Sequence, residues 1–224
     1  AADAAPADGQ GEVGTKHSGA QNIAVQTLVG VAVQHRPGYG PRTMRIDKIP
    51  VGDNPPESLN VIIEVPVGGE PVKYEFDKES GALFVDRILH TPMRYPANYG
   101  FIPHTLSDDG DPLDALVIAR SPFVPGCVVR ARPIGVLNLE DEHGGDEKLI
   151  CVPVDSTFPY YSDIGERKDL PSIVLAQIEH FFTHYKDLEA EKWVRIGKWG
   201  DADDARQIVL DCIARYEADK AAKG

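Results

Sequence analysis

Apolar and polar positions divide this 224-residue chain into three stretches of different texture. From Leu59 the pattern is that of strands. Leu59–Val65 is a hydrophobic strand that ends at Pro66, and Gly68-Gly69 marks a turn. Val72-Lys73-Tyr74-Glu75-Phe76 then alternates apolar with charged, the period of a half-buried strand. Asp77-Lys78-Glu79-Ser80-Gly81 reads as a hairpin loop, with Ala82–Arg87 as the return strand. Ala115–Ala119, Val128–Val136 and Leu149–Pro153 are further strands between Pro and Gly punctuation. Two helices follow. The first is expected to start at Asp169 as N-cap, with Pro171 in its first turn, and to run to about Tyr185. The second spans Ala202 to about Ala218, with Ala205, Ile208, Val209, Cys212, Ile213 and Tyr216 on one face. Short strands followed by two helices predict an α+β fold, a small closed barrel with helices against it.

Residues 1–43 lack this periodicity. They are rich in Ala, Gly and Gln and hold seven of the 21 glycines. Their charges cancel: Asp3, Asp8 and Glu12 against Lys16, Arg36 and Arg42. This segment reads as a low-complexity, disordered extension before a domain over 44–224. The net charge of −12 (23 Lys+Arg, 35 Asp+Glu) therefore belongs to residues 44–224. An excess of that sign speaks against nucleic acid and anionic membrane as partners. Cys127, Cys151 and Cys212 are too few, and odd in number, for a disulfide framework, so a reducing, cytoplasmic setting is expected. No run approaches the ~20 apolar residues of a membrane span.

The sharpest chemistry lies in Asp108-Asp109-Gly110-Asp111-Pro112-Leu113-Asp114. Gly110 permits a tight turn and Pro112 fixes φ, so the carboxylates can converge. Convergent carboxylates repel unless a proton or cation joins them, and hard oxygen donors suit Mg²⁺ or Mn²⁺. An EF-hand register fails, because counting from Asp109 puts Asp114 at position 6 and Arg120 at position 12. A second acidic segment, Glu140 to Lys148, reads alone as an exposed hairpin turn. Glu64 follows Val61-Ile62-Ile63, a setting where an unpaired carboxylate is expensive unless it faces outward. His180 and His184 share a helix face. The glutamate of an H-E-x-x-H zinc helix is absent, which leaves helix histidines with local partners or an interface.

Taken together these segments resemble the soluble family I inorganic pyrophosphatases of the short bacterial type. The signature D-x-D-P-x-D stands here as Asp109-Gly110-Asp111-Pro112-Leu113-Asp114. Ile63-Glu64-Val65-Pro66, Lys73-Tyr74-Glu75, Asp77 to Gly81, Asp86-Arg87 and Tyr95 to Pro103 match in order. Asp141, Asp146, Lys148 and His180 to Lys186 follow, over about residues 45–220. The resemblance implies an OB-like five-stranded closed β-barrel with flanking α-helices. It implies hydrolysis of pyrophosphate to two orthophosphates with several Mg²⁺ ions, Mn²⁺ or Zn²⁺ being possible substitutes. By the same resemblance Asp109, Asp114 and Asp146 hold metal before substrate arrives. Asp141 takes metal that enters with pyrophosphate, and Glu75 acts on metal-bound water. Asp111 accepts the proton of the nucleophilic water. Lys73, Arg87, Tyr99, Lys148, Tyr185 and Lys186 hold the phosphates, while Glu64 and Tyr95 line the cavity. A homohexamer is implied, with His180 and His184 at a subunit contact.

These assignments change the meaning of the charge. Without the seven acids given to one cavity, 23 bases stand against 28 acids, a surface balance of −5. A chain beginning at Met44 is expected to keep full pyrophosphate hydrolysis in a phosphate-release assay; loss of activity would show that residues 1–43 contribute to the enzyme.

Overall fold

The computed structural model describes residues 44–142 and 144–223, so the expected disorder of 1–43 falls outside the described residues. Eight strands and two α-helices follow in order: β1 (Leu59–Val65), β2 (Val72–Phe76), β3 (Leu83–Ile88), β4 (Asn98–Phe101), β5 (Asp114–Val117), β6 (Val128–Asp141), β7 (Gly144–Pro153), α1 (Ser172–His184), β8 (Val194–Gly200) and α2 (Ala202–Lys223).

Hydrogen bonds link the strands in the order β1-β4-β5-β7-β6, and β6 returns to β1, so five strands close a ring. The α+β, OB-like barrel expected from the sequence is the fold observed. β6 makes closure possible by its length. Its first residues, Val128 to Ala131, pair with β1, and its last, Val136 to Asp141, pair on the same edge with β8. The other edge holds β7 from Ala131 to Asp141. Pro133 cannot donate to a ladder, and the register shifts there, between Pro133 and Gly135. β2 and β3 form a separate two-stranded ribbon.

Barrel strands bury both faces: all seven residues of β1 are buried, Asn60 and Glu64 among them. On one face Leu59, Val61, Ile63, Ala115, Val117, Leu149 and Cys151 pack with Ala205, Val209 and Cys212 of α2. On the other, Val65, Tyr99, Leu116, Ile150 and Val152 pack with Ile178, Phe181 and Phe182 of α1.

Several boundaries differ from the sequence reading. Asp169 does not cap α1. It ends a short 3-10 turn, where its Oδ2 accepts from the backbone N–H groups of Gly165 (2.9 Å) and Glu166 (2.8 Å). Leu170 precedes Pro171, so it is held extended at φ −73°, ψ 149°, and the helix begins only at Ser172. α2 runs to Lys223 rather than Ala218. Asp201 Oδ1 accepts from Asp203 N–H (3.1 Å) and Asp204 N–H (3.0 Å) to cap its start. The acidic segment 140–148 is mostly strand: β6 continues to Asp141 and β7 resumes at Gly144. β4 and β8 are strands that the apolar pattern did not indicate.

Gly100 of β4 lies directly against the backbone of β1. A Cβ there would stand 1.9 Å from the carbonyl oxygen of Ile62. Gly100→Ala is expected to cost at least about 2 kcal/mol through overpacking of backbone against backbone, read by urea unfolding; a change under 0.5 kcal/mol, the ordinary range of a surface substitution (about ±0.5 kcal/mol), would show that the pair can separate freely.

Candidate active site

Side chains alternate across a strand, so a charged end continues the face of the apolar stretch beyond it. Leu116 and Ile150 belong to the α1 face, and two residues earlier on each strand stand Asp114 and Lys148. They are direct partners in the parallel β5–β7 pairing. Asp146 lies two further along the same face of β7. The Lys148 ammonium donates to both Asp114 Oδ2 and Asp146 Oδ1. Only 5% of Lys148 is exposed. Burial alone would lower its pKa, but Asp114 and Asp146 outweigh that and raise it. Tyr99, from the adjoining strand β4, donates its hydroxyl to Asp114 Oδ2 at 2.5 Å.

Around this centre the other elements bring matched charges. Lys73 of β2 lies 3.5 Å from Glu75 Oε2 and 3.4 Å from Asp86 Oδ2. Arg87 of β3 donates to Asp86 Oδ2 at 2.9 Å, and its Nε stands 3.2 Å from the buried carboxylate of Glu189. Beyond α1, Lys186 donates to Asp141 Oδ2 at 2.9 Å. Tyr95 and Tyr185 wall the floor against Phe181, with ring centroids 4.7 and 5.0 Å from it. Burial pushes the phenols of Tyr95, Tyr99 and Tyr185 up, so they stay protonated donors at neutral pH.

The loop between β4 and β5 carries the remaining acids. Asp109 Oδ1 accepts from Asp111 N–H at 2.9 Å, and Asp111 Oδ1 receives Lys78 Nζ at 2.9 Å. Burial, with nearby Asp111 and Asp114, raises the pKa of Asp109. Burial likewise raises that of Asp146, against the pull of Lys148.

Every residue to which the sequence assigns a metal, phosphate or cavity role lines one cavity of roughly 240 Å³, while His180 and His184 do not line it. It gathers Glu64, Lys73, Glu75, Arg87, Tyr95, Tyr99, Asp109, Asp111, Asp114, Asp141, Asp146, Lys148, Tyr185 and Lys186, drawn from strands and loops up to 122 positions apart. Lys78, Glu142 and Lys192 also line it and were not singled out. Lys192 lies 3.3 Å from Glu189, and Glu142 lies 3.4 Å from Lys186.

A family model described as inorganic pyrophosphatase matches residues 61–217. The chain belongs to the inorganic pyrophosphatase family. It is 58% identical over 174 residues to the inorganic pyrophosphatase of Agrobacterium fabrum, covering 78% of this chain and 98% of that one. Identity to the Brucella melitensis inorganic pyrophosphatase is 60% over 172 residues, 77% of this chain and 98% of the other. The solved inorganic pyrophosphatase of Thermus thermophilus superposes with a TM-score of 0.74 at 45% identity, covering 78% of this chain and 99% of its own.

Pyrophosphatases of this family depend on divalent metal, and the donor chemistry of the cavity fits such an ion. Its carboxylates outnumber its basic groups, and its donors are oxygens. Among the described residues no three His, Cys, Asp or Glu side chains close on one point. Asp114 and Asp146 close on the Lys148 ammonium instead, showing that this pair of carboxylates is arranged for positive charge.

Glu64 stands apart from these pairs. It is 5% exposed, and its Oε1 accepts from Phe76 N–H at 2.8 Å. Burial pushes its carboxyl up to about 8, against the pull of that N–H. The outward-facing alternative for Glu64 is therefore excluded. Its folded-state pKa lies above the ordinary glutamate value of 4.5. The stability this supplies is fully present below the unfolded pKa and is lost as pH rises through the folded value. Glu64→Gln keeps the acceptor and removes the ionisation. In EDTA, the melting temperature of the unmodified enzyme is expected to drop between pH 6 and pH 9 by about 5 °C more than that of the variant; parallel curves would assign the pH dependence elsewhere.

Proposed function

We propose that the chain hydrolyses inorganic pyrophosphate to two orthophosphates in this cavity, with Asp111 as general base. The observation that carries the reading is the assembly of paired acids and bases in one small cavity of a pyrophosphatase-family chain. Asp109, Asp114 and Asp146 would hold Mg²⁺, with Asp141 and Glu75 holding ions that accompany the substrate. Mn²⁺ or Zn²⁺ are substitutes that the same oxygen donors accept. When bound, Mg²⁺ shields the charge of the anion and lowers the pKa of a water.

The protein's own groups do the remaining work. Asp111 receives the proton of the attacking water, and its side chain is 65% exposed at the mouth, where water reaches it. Arg87 presents a planar fork to phosphate oxygens, held at Nε by Glu189. Lys73, Lys148 and Lys186 add point charges that offset the charge on the departing phosphate. Tyr99 and Tyr185 donate phenolic hydrogen bonds. Each base starts paired with a carboxylate, which holds it in place for the phosphate oxygens.

A homo-oligomer is part of this reading, a hexamer with the His180 face of α1 at a subunit contact. The His180 and His184 rings lie 4.6 Å apart at an interplanar angle of 59°, and His184 Nδ1 lies 2.8 Å from Asp187 Oδ2. Ile173, seven residues before His180, is 61% exposed. The extension 1–43 is proposed to be dispensable. Cytoplasmic residence accords with three free cysteines, and among the described residues no helix is long and apolar enough to cross a membrane.

A colorimetric phosphate assay tests the reading. Mg²⁺-dependent release from pyrophosphate is expected, with far less from ATP under Mg²⁺. Equal release from ATP would mark a broader phosphohydrolase, and no release would remove the activity. Asp111→Asn is expected to lower kcat by about 10²-fold or more with the fold retained; near-normal turnover would take the base role from Asp111.

A further inference from the structure

The reacting carboxylates Asp109 and Asp111 sit on a loop, residues 102–113, and a loop must be held if its carboxylates are to keep their places. Much of that hold is internal. Ser107 N–H donates to Asp111 O at 2.7 Å, Gly110 N–H to Ser107 O at 3.1 Å, and Leu113 N–H to Thr105 Oγ1 at 2.9 Å. These bonds give the loop its shape but do not tie its outer arm to the barrel.

The tie comes from the far half of α2. Leu106 N–H donates to the carbonyl of Cys212 at 3.0 Å, and Leu106 O accepts from Arg215 Nε at 2.9 Å. Both backbone polar groups of Leu106 are thus taken by one turn of helix. The same guanidinium donates through Nη1 to Asp108 and through Nη2 to Cys212 Sγ at 3.0 Å. Next to it Tyr216 meets His104 Nδ1 at 3.0 Å, and His104 has φ of +56°, a conformation a non-glycine residue keeps only when held. Asp108 is the first of four acids in its segment and does not line the cavity. Its partner turns it toward α2, while Asp109, Asp111 and Asp114 face the site.

We infer that Arg215 is a positioning residue of the enzyme: it clamps the 102–113 loop to α2 so that Asp109 and Asp111 are presented to metal and substrate. The inference rests on the roles proposed above for those two acids. The exposed pair with Asp108 alone contributes little. It is the planar fork reaching a backbone carbonyl, a carboxylate and a thiol together that fixes the arm, and a lysine has no such fork. Groups that orient ligands from outside the metal's own coordination set typically change metal affinity or turnover by about 10- to 100-fold when removed.

The test uses the full chain and reads equilibrium Mn²⁺ binding, from the electron paramagnetic resonance of the free ion, beside steady-state kinetics. Arg215→Met keeps the apolar stem. It is expected to weaken Mn²⁺ binding about tenfold and lower kcat about tenfold, with KM at saturating Mg²⁺ within about twofold. Asp108→Asn is expected to give a smaller loss of the same kind. The double variant is expected to be no worse than Arg215→Met alone, because the two act through one contact. A folded Arg215→Met enzyme with unchanged Mn²⁺ affinity and kcat would overturn the inference, as would a loss of thermal stability alone. Should Arg215→Met give no cooperative melt, Arg215→Lys, which keeps the charge without the fork, decides: unchanged Mn²⁺ binding and kcat in that variant overturn it. Asp109→Asn separates the two readings. If it abolishes Mn²⁺ binding while Arg215→Met leaves the affinity unchanged, the clamp fails and the site assignment stands; if it leaves binding intact, both fail.

Discussion

Lys148, buried between Asp114 and Asp146, is the interaction on which the site depends. An ammonium in such a place is costly unless its charge is answered, and here two carboxylates answer it, one of them also receiving the Tyr99 hydroxyl. The arrangement has a second effect. The acids that bring Lys148 into the core are the ones proposed to bind metal, so stability of the empty protein and affinity for its ion draw on the same oxygens. Removing Lys148 leaves two part-buried carboxylates without their counter-charge, and breaking a buried pair in this way costs roughly 3–5 kcal/mol in comparable cases.

The rest of the cavity follows the same plan at lesser depth. Lys73 with Glu75 and Asp86, Arg87 with Asp86 and Glu189, and Lys186 with Asp141 each hold a base in place by a carboxylate. Such pairing keeps the binding groups ordered before substrate arrives. It also reconciles a chain of net charge −12 with an anionic substrate, because the local balance is near even and divalent ions tip it positive.

Much of this was legible in the sequence because its signals are local. Leu59–Val65 declares itself by seven consecutive residues buried on both faces, and D-x-D-P-x-D by chemistry packed into six positions. What escaped depends on partners far along the chain. Asn98–Phe101 is four residues with a glycine, too short to show a period, and it is a strand only because β1 and β5 lie on either side. Val194–Gly200 carries two glycines and owes its form to the long edge of β6. The start of α1 was misplaced because Asp169 is a good capping residue, and the constraint of Pro171 on Leu170 outweighed it. Lys78 reaches Asp111 across 33 residues and Arg215 reaches Asp108 across 107, distances at which spacing carries no information.

The parallel pairing of β5 with β7 carries a consequence for how the protein matures. Asp114 faces Lys148 across that ladder, with the aliphatic neighbours Ala115 and Leu149 turned to the opposite side. A slip of one residue would bury Lys148 among the aliphatic side chains under α2 and push Leu149 into the cavity. Barrel closure and assembly of the site are therefore one event. A near-native species with shifted strands would be both unstable and inert, so hydrolysis of pyrophosphate serves as a quality test of the sheet itself.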